Sequence, residues 1–556
     1  MKLHFLVPKV NLSRLDYTIE FLAQTLGYPY SCVTSLKNLN KNEVIVSYLS
    51  SDAFLQHYNH PILNIFNSQQ MYQLDEFEQT INLFRWKDTA IPILGRQLTQ
   101  REKEQKRAQS DKKYLAINDT FWTTQIDIFA NIFYHLSRYE EKWRHFAEET
   151  VSDYSTSVLS RYQNLTVPVV DLLVDYFNEL IRQRVLYNGT NLVRVLPWPN
   201  GEELGLALTH DVDLTRAVSI KKRITAAGKS LFLQLSGKGY KKRELWKEIH
   251  SQDARVWAFP KILKFYHKKG WHATFFFLAK RVEGFHYRYN IKAKKYMSLI
   301  NELREDGHEV ALHSSLKAFD QPKMYTLERK KLEAITSTPC LGVRQHYLRV
   351  KYPRFWKIAQ SAGFRYDASL GYNFQPGFRA GTSHPFYTYD FNEDKKLEIL
   401  EFPLTFFEHN LKNRQENKMN PEELISELIK QVSIYNGLCM VLLHPSNYLH
   451  PPYDKWWDFT IQCLEKQQIA VATLSGHYHW LTQRKQIRFD FDKKEEARSR
   501  ITVVKPADLK LFSIEIVGKG KLLPDKDIIY TEKKGGFYTL STPKSRFSIS
   551  LNSPGS

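Results

Sequence analysis

The segment THDVD, residues 209–213, sets two carboxylates, Asp211 and Asp213, one residue apart at the end of an apolar run. In extended backbone alternate side chains share a face, so the two crowd each other unless a cation or a shared proton offsets the repulsion. A metal ion between them and a nearby imidazole would do this. One carboxylate could then ligate while the other takes a proton from activated water. Imidazoles stand at comparable places: His313 in HSSLKAF, His346 beside Arg344 in GVRQHY, and His444 in VLLHPSNY. His313 is a candidate metal ligand, and His346 a third ligand or a substrate contact. His444, titrating near neutrality, is a candidate general acid. The planar fork of Arg344 suits a carboxylate. Asp367 in YDASLGY suits a supporting carboxylate that holds Arg344 or a histidine, and Arg379 in GFRAGT falls in a loop near the same place. Taken singly, each has an ordinary reading as a cap, a core-edge histidine or a structural ion pair.

These residues gain meaning from the elements that carry them. Short apolar runs at 204–208, 274–278, 309–312, 342–344, 398–402, 439–443 and 469–474 read as strands. Amphipathic stretches at 259–268, 292–304, 325–335, 353–360, 421–435 and 454–465 read as helices between several of them. Strand–helix repeats at this spacing imply a largely parallel sheet buried on both faces, either a barrel or an open sheet. A barrel brings the ends of successive strands to one mouth, whereas an open sheet gathers only those near its switch point. Because Asp211, Asp213, His313, Arg344, His346 and His444 all follow strands, the barrel is the expectation.

The chain has 556 residues, 42% apolar and 14% aromatic, which is too much for one core and enough for two or three domains. A disordered scaffold, a collagen-like fibre and a small disulfide module are excluded. The net charge of +20 favours phosphates, anionic glycans or membrane headgroups. The basic residues are dispersed and accompany no RNA-binding or zinc-finger signature, so no dedicated nucleic-acid partner is expected. Four cysteines without a CxxC pair give neither a disulfide framework nor a Cys-rich zinc site. There is no P-loop, GxSxG elbow, HExxH or Rossmann glycine set. The N-terminus meets polar residues too early for a signal-peptide core, and no run of about 20 apolar residues follows. A reducing, cytoplasmic setting is expected, with basic residues suited to peripheral contact with the inner face of a membrane.

Three regions are expected. Residues 1–198 form a mixed α/β and helical extension, with strands near 2–7, 44–49 and 91–94, a charged loop at 101–113, and helices at 121–146 and 167–186. Residues 199–480 form the barrel, and 481–556 a small β-rich appendage with strands at 486–491, 508–517 and 537–551.

In chain order, THDVD, ATFFFLA (273–279), GHEVALHSS (307–315), RQHY, YDASLGY and VLLHPSNY resemble the polysaccharide deacetylase family with its NodB-homology domain, over residues 200–480. The front segment FWTTQIDIFANIFYHLSRYEE resembles the N-terminal extension of a bacterial branch. The resemblance implies a distorted seven-stranded (β/α) barrel that hydrolyses the N-acetyl group of a glycan amino sugar with a divalent metal, commonly zinc. It assigns the catalytic base to Asp211, metal ligation to Asp213 and His313, the acid toward the leaving amine to His444, and the brace of the base to Arg344. Trp456 and Trp457 would suit stacking against sugar.

The family pattern also has a metal histidine four residues after His313, where this chain has Lys317. A lysine ammonium there repels a dication. His346, which needs no large pKa shift to ligate, is the expected replacement, and a deprotonated Lys317 the other route. A noncatalytic glycan-binding barrel is the alternative this substitution motivates. The implied partner is an N-acetylated carbohydrate, with an anionic or lipid-linked glycan compatible with the basic chain.

Overall fold

The computed structural model describes residues 2–9, 13–37, 39, 43–49, 55, 60, 62–69, 71, 81–95, 115–117, 121–143, 157–215, 220–235, 241, 243, 245–247, 256–279, 289–416, 419–491, 498–524, 528–533 and 536–552. The charged stretch 101–113 and the end of the expected helix at 144–146 lie outside them.

The front of the chain builds a six-stranded sheet in the order Tyr30–Val33, Leu3–Leu6, Val44–Ser47, Ile62–Asn64, Phe121–Thr124, Leu115–Ile117. All pairings are parallel except the last. One expectation needs correction. The helix expected over 121–146 begins as the buried strand Phe121–Thr124, and its first helical segment is Ile128–Leu136. The aromatic and β-branched residues of FWTT suit a strand. Asp127 then caps the helix by accepting from the Ala130 N–H.

The middle of the chain forms a larger sheet. Its strands are β1 (Leu204–Val212), β2 (Thr274–Leu278), β3 (Glu309–Ser314), β4 (Gly342–Gln345), β5 (Tyr366–Asp367), β6 (Phe386–Asp390), β7 (Lys395–Glu401), β8 (Phe406–Phe407), β9 (Leu438–Leu442) and β10 (Ile469–Val471). They pair in the order β6-β7-β5-β4-β3-β2-β1-β9-β8, with β10 also on β1. Every pairing is parallel except the β6–β7 hairpin. The sheet therefore has ten strands where seven were expected. Helices Phe259–Lys269, Lys294–Glu305, Pro322–Thr336, Arg354–Ser361, Pro421–Ile434 and Tyr453–Leu464 lie between strands.

The strands are continuous apolar runs because both faces are covered. All nine residues of β1 are buried, and the alternation of its side chains divides two cores. Leu206, Leu208, Phe275, Phe277, Leu312 and Val343 belong to the core that includes the helices. Ala207, Phe276, Ala311, Tyr366, Phe402 and Met440 belong to a second core, which continues into Trp198, Phe512, Ile514 and Leu540. Gly342 lets β4 pass close to its neighbour: an added Cβ would stand 2.0 Å from the Tyr366 ring.

After the last helix of this region, Leu474–Arg484, come two four-stranded antiparallel sheets. One orders Arg488–Phe491, Arg498–Val504, Arg546–Asn552 and Lys521–Pro524; the other Ile529–Lys533, Phe537–Ser541, Leu511–Val517 and Leu192–Val195. The second thus takes its edge strand from a segment that precedes β1. The expected single strand at 537–551 is two, broken at 542–545. No helix among the described residues is long and apolar enough to cross a membrane.

Candidate functional site

Along β1 the side chains alternate in destination. His210 leaves toward the helices: its Nδ1–H donates to the Leu443 carbonyl at 2.7 Å, its Nε2 lies 2.6 Å from the Tyr266 hydroxyl, and it stacks on Phe275. Thr209 and Asp211 turn the other way and meet Arg344, which is entirely buried. One Arg344 Nη1 donates to Thr209 Oγ1 at 2.9 Å and to Asp211 Oδ1 at 3.0 Å, and Nε donates to the Ala368 carbonyl at 2.9 Å. The guanidinium lies 4.3 Å from the centre of the Phe276 ring. Asp211 is thus held by a fixed fork, with its Oδ2 left toward His313 at 3.8 Å.

His313 ends β3. Its Nδ1 lies 3.0 Å from the Arg344 carbonyl, an oxygen that can only accept, so the proton sits on Nδ1 and the lone pair on Nε2. That Nε2 faces Asp213 Oδ1 at 3.2 Å. His346 follows β4, with Nε2 3.5 Å from Asp213 Oδ2 and its ring edge-on to His313 at 4.9 Å. Left-handed backbone at Tyr347 (φ 58°) and Leu348 (φ 50°) turns the chain sharply there, and the Tyr347 ring stacks on His346 at 4.3 Å. Asp213, His313 and His346 are all buried, and one ligand atom of each lies within 4.8 Å of the others. Asp213 Oδ1 and His313 Nε2 face each other, with no further hydrogen-bond partner among the described residues. Buried polar atoms normally find partners. Two imidazoles and a carboxylate converging in this way fit a divalent cation with an open coordination position.

Charges within the cluster are mutually dependent. Burial opposes ionisation of Asp213, yet His313 and His346 outweigh it and hold the carboxyl well below its ordinary range. Burial likewise pulls His313 down, but Asp211 and Asp213 raise it overall.

His444 approaches from the far side, with Nε2 3.5 Å from Asp213 Oδ2. Its Nδ1–H donates to Glu408 Oε1 at 2.6 Å, an oxygen that also receives the His444 N–H at 3.0 Å and Asn447 Nδ2 at 2.8 Å. Burial disfavours the imidazolium, but Glu408 and Asp213 reverse this and raise His444 well above its ordinary value. Glu408 correspondingly falls to about 2, since His444 outweighs the effect of burial. Sequence reasoning missed Glu408. Its signal was available in LTFFEHN, an apolar run ending in Glu and His like the run that ends at His444, but β8 is only two residues long.

Of the other residues singled out in the sequence, Asp367 lies beside β4, near enough for the Arg344 guanidinium to act on its carboxyl, and the rest lie elsewhere. Lys317 is exposed on the 3₁₀ turn Leu316–Asp320, whereas the three residues of the cluster are buried. Asp367 is buried, but the hydrogen bond described for it comes from Ser369 at 2.5 Å, and its nearest acidic partner is Glu401. Burial raises the Asp367 carboxyl to about 6, and burial together with Asp367 raises Glu401 further, so the two behave as carboxyls that share a proton. Arg379 is 3% exposed and donates to Glu141 at 3.0 Å and to the Gly371 carbonyl at 3.1 Å; it joins the front region to the large sheet. Trp456 and Trp457 are each 5% exposed on the helix Tyr453–Leu464. Trp457 packs on Phe265 and His210, and Trp456 on Tyr453, so both are packing residues.

Residues 253–366, which include His313, Arg344 and His346, match the family described as Polysaccharide deacetylase. The chain carries a polysaccharide deacetylase domain. Upstream of this deacetylase domain, residues 3–186 match a family of unknown function, DUF7033. No curated protein matches the chain. Solved structures similar to it include a Mycobacterium smegmatis protein described as a polysaccharide deacetylase, at 17% identity over 54% of this chain and 98% of that one, with a TM-score of 0.35. The PuuE allantoinase is similar at 14% identity over 51% and 93% of the two chains, with a TM-score of 0.34. A CE4 family pseudoenzyme from Bacillus anthracis is similar at 11% identity over 50% and 66%, with a TM-score of 0.25.

Proposed function

We propose that the protein is a metal-dependent carbohydrate N-deacetylase, a hydrolase that removes acetyl groups from amino sugars of a bacterial glycan or glycan precursor. The observation that carries this reading is the buried Asp213–His313–His346 cluster, flanked on one side by the Arg344-held Asp211 and on the other by the Glu408-held His444. Zinc suits two imidazoles and a carboxylate with a position left open. The exposure of Lys317 removes the reason to expect an ammonium in place of the ion. On this reading β7 and β8, consecutive in the chain, serve as one interrupted strand. Seven parallel strands then surround the site: β1, β2, β3, β4, β5, β7/β8 and β9. The extension and the appendage flank this barrel at about residues 198 and 480.

Asp213, His313 and His346 would hold a divalent ion, which would supply Lewis-acid polarisation of the acetyl carbonyl and acidify water. Asp211 takes the proton of the attacking water on Oδ2, while Arg344 keeps Oδ1 fixed and the carboxylate oriented. The Nδ1–H of His313 on the Arg344 carbonyl fixes the tautomer that points its lone pair inward. His444 delivers its Nε2 proton to the leaving nitrogen as the carbon–nitrogen bond breaks, and Glu408 steadies the imidazolium beforehand. The products are acetate and a free amine. The net charge of +20 suits an anionic or lipid-linked glycan, met at the cytoplasmic face of a membrane.

The test is metal content and acetate release from N-acetylated oligosaccharides. Asp211→Asn is expected to keep the metal and lose at least about 100-fold in turnover. Asp213→Ala is expected to lose both. Equal activity in the wild type and the two variants overturns the reading.

A further inference from the structure

We propose that a second divalent cation binds at the mouth of the site, on Glu408, His409 and His444, and that its binding withdraws His444 from proton transfer; the second clause rests on the deacetylase reading above. One ligand atom from each of these residues lies within 4.8 Å of the others, the same spread as in the deep cluster. The donor set is also the same, one carboxylate and two imidazoles. The setting differs. Asp213, His313 and His346 are all buried, whereas the His409 side chain is 48% exposed and that of His444 15% exposed, so an ion can arrive directly from solvent.

Glu408 points to a ligand independently of that spacing. Its side chain is 3% exposed, and its Oε1 receives three N–H groups from His444 and Asn447. Its Oε2 is buried without a hydrogen-bond partner among the described residues. An ionised carboxylate with one saturated and one bare oxygen, beside an imidazole at the surface, is half of a metal site already built. The His409 and His444 rings stand edge to face at 5.2 Å, and His409 Nδ1 is 3.8 Å from Glu408 Oε1.

His444 belongs to both clusters. With no ion on its Glu408 side, Nδ1–H is held by the carboxylate and Nε2–H faces Asp213. An ion on that side takes the Nδ1 lone pair, and the Nδ1 proton is released to solvent. The imidazole is then a ligand of the ion and no longer free to serve as the proton donor. The first ion therefore activates and the second silences, a device by which excess metal lowers turnover.

Equilibrium dialysis of the chelator-stripped full chain against Zn²⁺, with metal analysis, tests this. Two ions per chain are expected, the second weaker. His409→Ala, at an exposed position, is expected to weaken the second at least about tenfold and to abolish the fall in acetate release at high zinc. Asp213→Ala is expected to lose the tight ion and keep the weak one. A single ion that Asp213→Ala removes and His409→Ala leaves untouched overturns this inference while the deacetylase reading stands. Two ions both indifferent to His409→Ala overturn it too, and no bound ion overturns both.

Discussion

The proton that His444 would give away is governed by Glu408, which meets the imidazole at 2.6 Å on the side opposite Asp213. Because this carboxylate raises His444 well above its ordinary value, the imidazolium persists through neutral pH and is depleted only at higher pH. Glu408→Gln keeps a hydrogen-bond acceptor and removes the charge. The basic limb of the kcat/KM profile, where the acid loses its proton, is expected to move to lower pH, with a loss of about 10–100-fold near pH 8. An unmoved basic limb means His444 is not the acid. At this scale the sequence was informative where a reactive residue lies at or just past the end of a buried strand, as with Asp211, His313, Arg344, His346 and His444. It was silent where burial decides the role. Nothing in GFRAGT shows that Arg379 closes on Glu141, a partner more than two hundred residues upstream. Nothing in KWWDF shows that both tryptophans turn inward.

The strands β1 to β4, β7, β9 and β10 and the helices between them were legible to within a few residues because doubly covered strands are uniformly apolar and their helices carry one apolar stripe. Other elements escaped, among them the five-residue β6 and the helices Ser13–Leu26 and Ile220–Leu235. The strand Phe121–Thr124 ran straight into a helical pattern and hid in it, and β8 and β5 are only two residues long. What such patterns also conceal is how near one strand passes to another. β4 delivers Arg344 and, one residue beyond its end, His346, and it can do so only because Gly342 makes room for the Tyr366 ring. That ring is pinned in turn, its hydroxyl donating to Glu309 at 2.5 Å. Gly342→Ala is expected to overpack this contact and cost about 1–3 kcal/mol in denaturant unfolding. It should also weaken metal binding, since Arg344 and His346 shift with the strand. Wild-type stability and affinity in that variant would mean that Tyr366 yields without moving β4.

Across the whole molecule the three regions share structure that no linear reading divides. Leu192–Val195, upstream of the large sheet, completes a sheet near the C-terminus, antiparallel to Leu511–Val517. Arg484, 8% exposed, donates to the carbonyls of Val195 and Leu196 at 2.8 Å and to that of Gln24, so the last helix of the large sheet clasps both the edge strand and the helix Ser13–Leu26. Such long-range ties make the charge state of buried groups a property of the whole. Burial lowers His135 to about 3 in the front region, and His210 and His477 to about 4 in and beside the large sheet. Each is neutral when folded and titrates near 6.5 when unfolded, so the unfolded chain binds more protons as the pH falls. Their contribution is complete above about pH 6.5 and is lost as the pH drops toward 4, roughly 2 kcal/mol per histidine between pH 7 and 5. Urea midpoints are therefore expected to fall steeply over that interval. His477 offers its Nε2–H to the Leu206 carbonyl at 3.0 Å, a bond that a glutamine amide can also make, so His477→Gln should remove one proton's share of the slope. A midpoint that stays level from pH 7 to 5, or a slope unchanged in His477→Gln, would show that these imidazoles are already protonated in the folded chain.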